Sequence, residues 1–259
     1  MAFERPLTVK EAVENIHAKE YLLPAIQREV VWDVDQITKL FDSLMRDYPI
    51  GSFLFWYVDR KNSGKYQFYE FMRDFHELKN CHNPKANVSG EDDIIAILDG
   101  QQRLTSLYIG LKGSYSYKEP WKRWDNPQAF PTRRLYLNLL DRAKEGPIDL
   151  LYDFAFLTEE EARKPRKNTF WFKVCDILGM KSPAEVNDYL LDNEVMNKPK
   201  EQGRFANHTL FKLWEVVHRT PVINYFLEKD ESLDKVLNIF IRVNSGGTIL
   251  SYSDLLLSI

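Results

Sequence analysis

The sequence contains little cysteine and no long apolar run, and both absences limit the classes of protein it can belong to. Two of its 259 residues are cysteines, Cys81 and Cys175, which define no disulfide framework and are typical of a reducing cytoplasm. No apolar stretch approaches the roughly 20 residues that span a bilayer, and the first residues do not have the pattern of a signal peptide. We therefore expect a cytoplasmic protein with no membrane partner.

A strong excess of charge is absent as well. The 35 lysine and arginine residues are balanced by 38 aspartate and glutamate residues, which gives a formal net charge of −3. This balance argues against an overall electrostatic attraction to DNA, although it is compatible with a local basic patch.

Several catalytic motifs are also missing from the sequence. It contains no Walker P-loop, no nucleophile elbow and no HExxH pair. His76, Cys81 and His82 lie close together, but a structural zinc site needs four ligands and no second cluster accompanies them. We interpret these three as loop residues without a metal.

The composition is that of a globular domain. Hydrophobic residues make up 44% of the chain and aromatic residues 14%, which is enough for a large core. We predict an α+β fold in two parts. Residues 1–113 form a core with a mixed sheet, and residues 114–259 form an irregular and helical remainder that completes the same domain.

Local patterns predict several elements of this fold. Thr8–Glu11 has the pattern of a capping box, and Asp33 caps the clearest helix with Gln36 three residues later. Apolar periodicity and turn residues indicate the others. The predicted extended segments are Tyr21–Trp32, Ser52–Val58, Tyr66–Phe71, Arg134–Leu139 and Thr169–Val174, and the predicted later helices are Ser182–Leu191, Thr209–His218 and Ser232–Val243.

One polar turn lies at the centre of the predicted fold. The apolar run Ile94–Leu98 predicts a strand buried on both faces. Leucine and tyrosine residues at helical spacing follow, and Gly113 stands where that helix would end. The group Asp99–Arg103 therefore occupies a strand-to-helix turn.

The residue types in this turn suit an anion. The free N–H groups of a first helical turn attract phosphate, and Arg103 adds a forked, charged donor. Gly100 lets the backbone bend sharply, and Asp99 makes sense near phosphates if it holds a metal ion or orients a water molecule. Ordinary capping and turn chemistry is the alternative explanation of the same residues.

Three ordered segments carry a resemblance to a known family. The sequence of Asp99–Arg103 resembles the signature of the DGQQR domain of GmrSD-type modification-dependent restriction enzymes, which is grouped with the ParB/sulfiredoxin-like superfamily. Leu23–Arg28 with Val31 and Trp32 resembles its N-terminal motif. A third segment resembles its C-terminal motif. This segment comprises Phe240–Thr248 together with Leu250, Ser251, Asp254 and Leu255. The residues from about 115 to 219 carry no matching motif.

The resemblance implies a ParB/sulfiredoxin-like mixed sheet followed by a mainly helical subdomain. It also implies that this domain binds and hydrolyses a nucleoside triphosphate with Mg²⁺, in bacterial defence against phage DNA. The implied catalytic residues are Asp99, Gln101, Gln102 and Arg103, with Asp99 as the metal ligand. The implied nucleotide-binding residues are Gln27, Arg28, Gly100, Thr105, Arg242 and Asn244.

A nuclease domain or subunit is the partner that the resemblance implies. Related enzymes carry a histidine-containing nuclease domain after this region, and no such motif is present here, so we predict no nuclease activity for this chain alone. Because an exposed Leu255–Leu257 would be unusual at the end of a domain, we expect a fragment or a partner that covers this helix.

Two other functions remain open from the sequence. The first is a non-catalytic sensor of modified phage DNA, whose polar turn grips backbone phosphate. A basic cluster with interleaved aromatic residues is compatible with such a nucleic-acid face, although charged residues are more often simply solvated. The cluster comprises Lys122, Arg123, Arg133, Arg134 and Arg142. The second is a structural adaptor.

Overall fold

The computed structural model describes residues 2–25, 32–88, 93–146, 149–230 and 232–244. The strands are β1 (Ala2–Phe3), β2 (Tyr21–Pro24), β3 (Ser52–Val58), β4 (Phe68–Tyr69), β5 (Asp74–His76), β6 (Ile94–Asp99), β7 (Ser114–Ser116), β8 (Arg134–Arg142), β9 (Tyr152–Leu157), β10 (Trp171–Lys173) and β11 (Asn224–Glu228). The helices are α1 (Val9–His17), α2 (Val34–Met45), α3 (Arg60–Ser63), α4 (Gln101–Lys112), α5 (Glu159–Arg163), α6 (Pro183–Asp192), α7 (Lys200–His218) and α8 (Leu233–Asn244).

Six strands in the described ranges form a mixed sheet, in the order β1-β11-β3-β6-β2-β4. The central strand β6 pairs in parallel with β2 and antiparallel with β3. Near the other edge, β11 pairs in parallel with β3. The predicted α+β fold with a mixed sheet is confirmed, and the later part of the chain contributes a strand to that sheet.

Strand β6 separates two apolar clusters. Ile97 belongs to the larger cluster, which contains the buried faces of α1, α2 and α4. Ile94, Ala96 and Leu98 belong to the second cluster, in which Val236 and other residues of α8 are also buried. Helices therefore cover both faces of the sheet, and the prediction of a central strand buried on both faces is confirmed.

Two helices begin as their sequences predict. The Thr8 hydroxyl accepts a hydrogen bond from the Glu11 N–H at 3.1 Å, and the Asp33 carboxylate accepts one from the Gln36 N–H at 2.8 Å. Each of these bonds satisfies one orphan donor of a first helical turn, and in both cases the N3 side chain bonds back to the cap residue. The start of α2 matters for the site because this helix forms one wall of it.

The remainder of the chain contains a three-stranded sheet in the order β10-β8-β9, beside the helices α6 and α7. Strands β8 and β10 lie where the sequence predicts them, whereas β9 and β11 are additions that the sequence pattern does not indicate. Helix α7 begins at Lys200, well before the predicted start at Thr209. Among all the helices described, none combines the length and apolar character needed to cross a bilayer.

Candidate functional site

A bulge in β6 immediately precedes the polar turn. Opposite β3, the pairing passes from Phe55–Ile97 directly to Leu54–Asp99, so β6 contains one extra residue at this point. Bulges bend a strand and change the direction of the side chains that follow it. This one occurs at Leu98 and Asp99, where the strand leads into the turn.

Gly100 is required by the geometry of the turn. Its φ angle is +91°, a left-handed conformation that other residues adopt at a cost, and an added Cβ would lie 2.1 Å from Cδ1 of Phe53. As the N-cap of α4, Gly100 brings no side chain to the N–H groups of the first turn. A helix start whose N-cap has no side chain is compatible with the anion that the sequence predicts there.

The Arg103 side chain is half-buried and anchored by its own guanidinium. Nη1 donates to the carbonyl oxygen of Ile50, and Nη2 donates to the carbonyl oxygen of Ser52 at 3.0 Å. The guanidinium carbon lies 4.3 Å from the centre of the Phe53 ring. Arg103 consequently has a structural role, since it holds the segment between α2 and β3 against α4.

Asp99 is the carboxylate partner of Arg103. Nη2 of Arg103 donates to Oδ2 of Asp99 at 3.2 Å, and both side chains retain some solvent exposure. Burial lowers the pKa of the Arg103 guanidinium, and the charge of Asp99 opposes that shift. The arginine remains a cation at neutral pH in any case.

Gly51 makes room for this arginine. Its φ angle is +83°, and an added Cβ would lie 2.6 Å from Nη1 of Arg103. The sequence alone did not identify Gly51 as a site residue. The Pro49-Ile50-Gly51 tripeptide indicates a turn after α2, but the approach of Arg103 depends on tertiary structure.

Gln101 and Thr105 are buried without hydrogen-bond partners for two of their polar atoms. Within the described ranges, neither Nε2 of Gln101 nor Oγ1 of Thr105 has a partner, although both residues are more than nine-tenths buried. Successive helical residues rotate by about 100°, so these two share one side of α4 and Arg103 lies on the opposite side. Gln102 is half-buried between them. The polar motif is thus divided over two sides of one helix.

A cavity of about 340 Å³ opens beside Arg103. Helix α2 contributes part of its lining, which includes two cations, Lys39 and Arg103, and the aromatic residue Trp32. The lining residues are Trp32, Gln36, Lys39, Leu40, Ser43, Pro49, Ile50 and Arg103. An open cleft with an aromatic wall and two cations suits a ligand that combines a ring with negative charge.

Comparison with known families identifies the family of the chain. The chain matches the GmrSD restriction endonuclease N-terminal domain over residues 9–259. The chain belongs to this family. Membership points to a component of a restriction system. An uncharacterized protein of Methanocaldococcus jannaschii is 26% identical over 253 residues, which are 96% of this chain and 40% of that protein. The chain therefore spans about two fifths of the length of this curated relative.

The N-terminal motif of this GmrSD N-terminal domain is described only in part. Gln27 and Arg28 lie outside the described residues, so the prediction that they converge on the Asp99–Arg103 turn stays a prediction. Parallel pairing of Tyr21 with Ile95 makes β2 and β6 end at the same edge of the sheet. From the same motif, Trp32 lines the cavity with Arg103.

The C-terminal motif is likewise described in part. Arg242 lies exposed in the last turn of α8, the side chain of Asn244 lies outside what the structure describes, and so do residues 245–259. The roles predicted for Arg242, Asn244 and Leu255–Leu257 stay predictions.

The basic cluster of this GmrSD N-terminal domain serves largely to hold its own backbone. Arg133 is 4% exposed, donates to the carbonyl oxygen of Tyr117 at 3.2 Å and stacks on the ring of the same residue. The ammonium group of Lys122 donates to the carbonyl oxygen of Gln128, and the guanidinium of Arg134 to that of Gly113. Lys122, Arg123 and Arg142 are the exposed members of the cluster.

Metal ligands do not cluster within the described ranges: no group of three or more histidine, cysteine, aspartate or glutamate side chains is placed to hold an ion. Mg²⁺ in nucleotide sites is commonly bound by one or two carboxylates together with phosphate oxygens and water. Asp99, half-buried at the edge of the turn, fits such a shared site. The donor set is therefore compatible with Mg²⁺ that arrives with a nucleotide.

Proposed function

We propose that this domain binds a nucleoside triphosphate with Mg²⁺ and hydrolyses it, as the regulatory module of a restriction system. The observation that carries the proposal is the cavity itself. It joins Arg103 of the polar turn to Trp32 of the N-terminal motif, although the two are far apart in the sequence. The guanidinium of Arg103 suits a phosphate group, and the aromatic side chain of Trp32 suits a nucleobase.

Each residue of the turn receives a role in this proposal. Arg103 makes three hydrogen bonds to described residues, which leaves donors of its five for a phosphate. Asp99 would hold Mg²⁺, and the ion would supply charge neutralisation for the phosphates. Gln101 and Gln102 would contact phosphate or orient the attacking water. Gly100 and Thr105 would complete the turn around the ligand.

The remaining motif residues extend the same site. Arg28 and Gln27 follow β2, which ends at the same edge of the sheet as β6, and would add phosphate contacts there. Arg242 and Asn244 would close the far side of the pocket. A nuclease domain or subunit would read the hydrolytic state, because this chain lacks a nuclease motif of its own and its curated relative extends well beyond the matched region.

Phosphate release tests the proposal directly. Wild-type protein is incubated with each of four NTPs and Mg²⁺, and Asp99→Asn and Arg103→Ala are measured beside it. Loss of a donor that acts mainly in the transition state costs about 2–4 kcal/mol, so Arg103→Ala should lower turnover by roughly 30- to 1,000-fold. Asp99→Asn should abolish the Mg²⁺ dependence together with activity.

Thermal melts must accompany these assays, because Arg103 also anchors the carbonyl groups of Ile50 and Ser52. Arg103→Lys keeps the positive charge but removes the planar guanidinium, so it distinguishes the effect of charge from the effect of hydrogen-bond geometry. If wild-type protein neither binds nor hydrolyses any of the four NTPs, the hydrolase proposal is wrong. Retention of modified DNA by the same preparation would then favour the sensor function.

A further inference from the structure

We infer that α2 and the residue just before its cap supply the second half of the ligand site, with Lys39 as a second phosphate anchor and Trp32 as the surface on which the base stacks. This inference rests on the proposed function, since it concerns the same cavity. Neither residue belongs to the polar turn, and each reaches the cavity from the opposite wall.

The spacing of residues on α2 directs one polar face toward the cavity. Gln36, Lys39 and Ser43 recur at intervals of three and four, which places them on one side of a helix. The opposite side of the same helix is buried in the core through Ile37, Phe41 and Leu44. The orientation of α2 is thus fixed by its apolar side, and its polar side forms a rigid wall.

Lys39 is the lysine that lines this cavity, and within the described ranges no ion pair compensates its charge. Asp35 lies one helical turn earlier, where it could pair with Lys39, yet no such pair is formed. By contrast, Lys19 lies 2.6 Å from Glu70 and Lys212 lies 2.7 Å from Asp47. An exposed, uncompensated ammonium group that faces Arg103 across a cleft creates a positive potential for an anion.

Trp32 is held where its ring can serve as a wall. Its carbonyl oxygen accepts a hydrogen bond from the Tyr115 hydroxyl at 3.2 Å, which fixes the backbone just before α2 begins. The residue is half-buried, packs against the larger apolar cluster and lines the cavity. An aromatic ring of this kind stacks on any nucleobase, because every base has a flat π-face.

These three features define the class of ligand. Two cations at one cleft match a polyphosphate better than a single phosphate group, and the aromatic wall adds a base. A cavity of about 340 Å³ is at the small end of sites that take drug-sized molecules, which suits one nucleotide rather than a strand of DNA. The geometry therefore points to a single nucleoside polyphosphate held between α2 and α4.

The test uses Lys39→Met, which keeps the length of the side chain and removes its charge, with Lys61→Met as the matched control. Lys61 is an exposed lysine just past the opposite end of β3 from the cavity. Calorimetry with Mg²⁺ measures affinity for ATP, GTP, tripolyphosphate, adenosine and guanosine. A lost charge-assisted contact should weaken nucleotide and tripolyphosphate binding by roughly tenfold in Lys39→Met only.

Trp32→Leu and Trp32→Phe test the aromatic wall. Leu should weaken ATP or GTP binding but not tripolyphosphate binding, and Phe should restore the nucleotide affinity, which excludes misfolding as the cause. If wild-type protein hydrolyses an NTP while Lys39→Met and Trp32→Leu bind it as tightly as Lys61→Met, this inference is overturned and the proposed function stands. If wild-type protein binds tripolyphosphate alone, or no probe, both are overturned.

Discussion

Two polar segments stand beside buried strands in this molecule, the Asp99–Arg103 turn and residues 117–134. In the second segment the charged groups are paired within the protein. Arg133 and Lys122 donate hydrogen bonds to backbone carbonyl oxygens and form ion pairs with the carboxylate of Glu119. In the first, two buried polar atoms of α4 have no partner within the described ranges, and a lysine across the cavity has no counter-ion there.

This difference separates a structural use of polar residues from a ligand site. A buried donor or acceptor without a partner costs about 1–3 kcal/mol, so the two on the interior side of α4 contrast with the satisfied cations of the second segment. Arg133 and Arg103 both donate to backbone carbonyl oxygens, but of the two it is Arg103 that lines the cavity. A cluster of basic residues in a sequence is therefore weaker evidence for binding than cations that line a cavity.

The largest effect is expected for Gly100→Ala. The new Cβ would meet the Phe53 ring, and alanine would have to adopt a left-handed backbone, so we expect a loss of about 2–4 kcal/mol in the free energy of unfolding. Gly64→Ala is the control, because nothing lies within 4 Å of its Cβ position and its φ is −72°. Urea denaturation of both variants measures the difference. Equal stabilities would show that the turn can relax without glycine.

The next effect distinguishes a buried member of the basic cluster, Arg133, from an exposed one, Arg123. Arg133→Met removes a nearly buried cation and its bonds to two carbonyl groups, which should cost about 1–3 kcal/mol of stability. Arg123→Met changes an exposed side chain and should cost less than about 0.5 kcal/mol. If Arg133→Met instead lowered affinity for DNA while its melting temperature stayed unchanged, residues 117–134 would be a nucleic-acid face after all.

The parts of this fold that could be predicted from the sequence depend on local information. The capping boxes of α1 and α2, the bounds of β3 and the end of α4 at Gly113 follow from neighbouring residues, and all four are confirmed. Strand β11 could not be predicted because its partner β3 lies far earlier in the chain, and pairing at that distance leaves no local pattern.

The candidate site shows the same limit. The Asp99–Arg103 turn was recognised as one motif, but the helix divides it: Arg103 faces the cavity side and Gln101 with Thr105 the interior. Gly51 and Lys39 were not identified as site residues, since each gains its place only when α2 and α4 come together. Their residue types alone indicate a turn and a solvated helix face.

A smaller effect is expected at Thr105. Its buried hydroxyl has no partner within the described ranges, so Thr105→Val should leave the stability of the nucleotide-free protein unchanged or raise it by up to about 1 kcal/mol. Thr38→Val is the control, because that hydroxyl donates to the Asp35 carbonyl oxygen at 3.0 Å and its loss should cost about 1 kcal/mol. Thermal melts compare them. Destabilisation by Thr105→Val as large as that of Thr38→Val would mean that the hydroxyl is satisfied.

The smallest effect concerns Trp121, which contrasts with Gly100. Both have positive φ, yet at Trp121 a bulky side chain adopts this conformation at +69° while fully exposed. Because the ring is not packed, replacing it removes little burial, and asparagine tolerates the left-handed region better than tryptophan does.

Trp121→Asn should therefore raise the free energy of unfolding by about 0.5 kcal/mol, measured by urea denaturation beside Trp124→Asn. Trp124 is 54% exposed but its ring contacts that of Phe130, so its replacement should destabilise the protein. A loss above about 1 kcal/mol for Trp121→Asn would show that this ring is packed, and residues 117–134 would then depend on an aromatic core as well as on their buried cations.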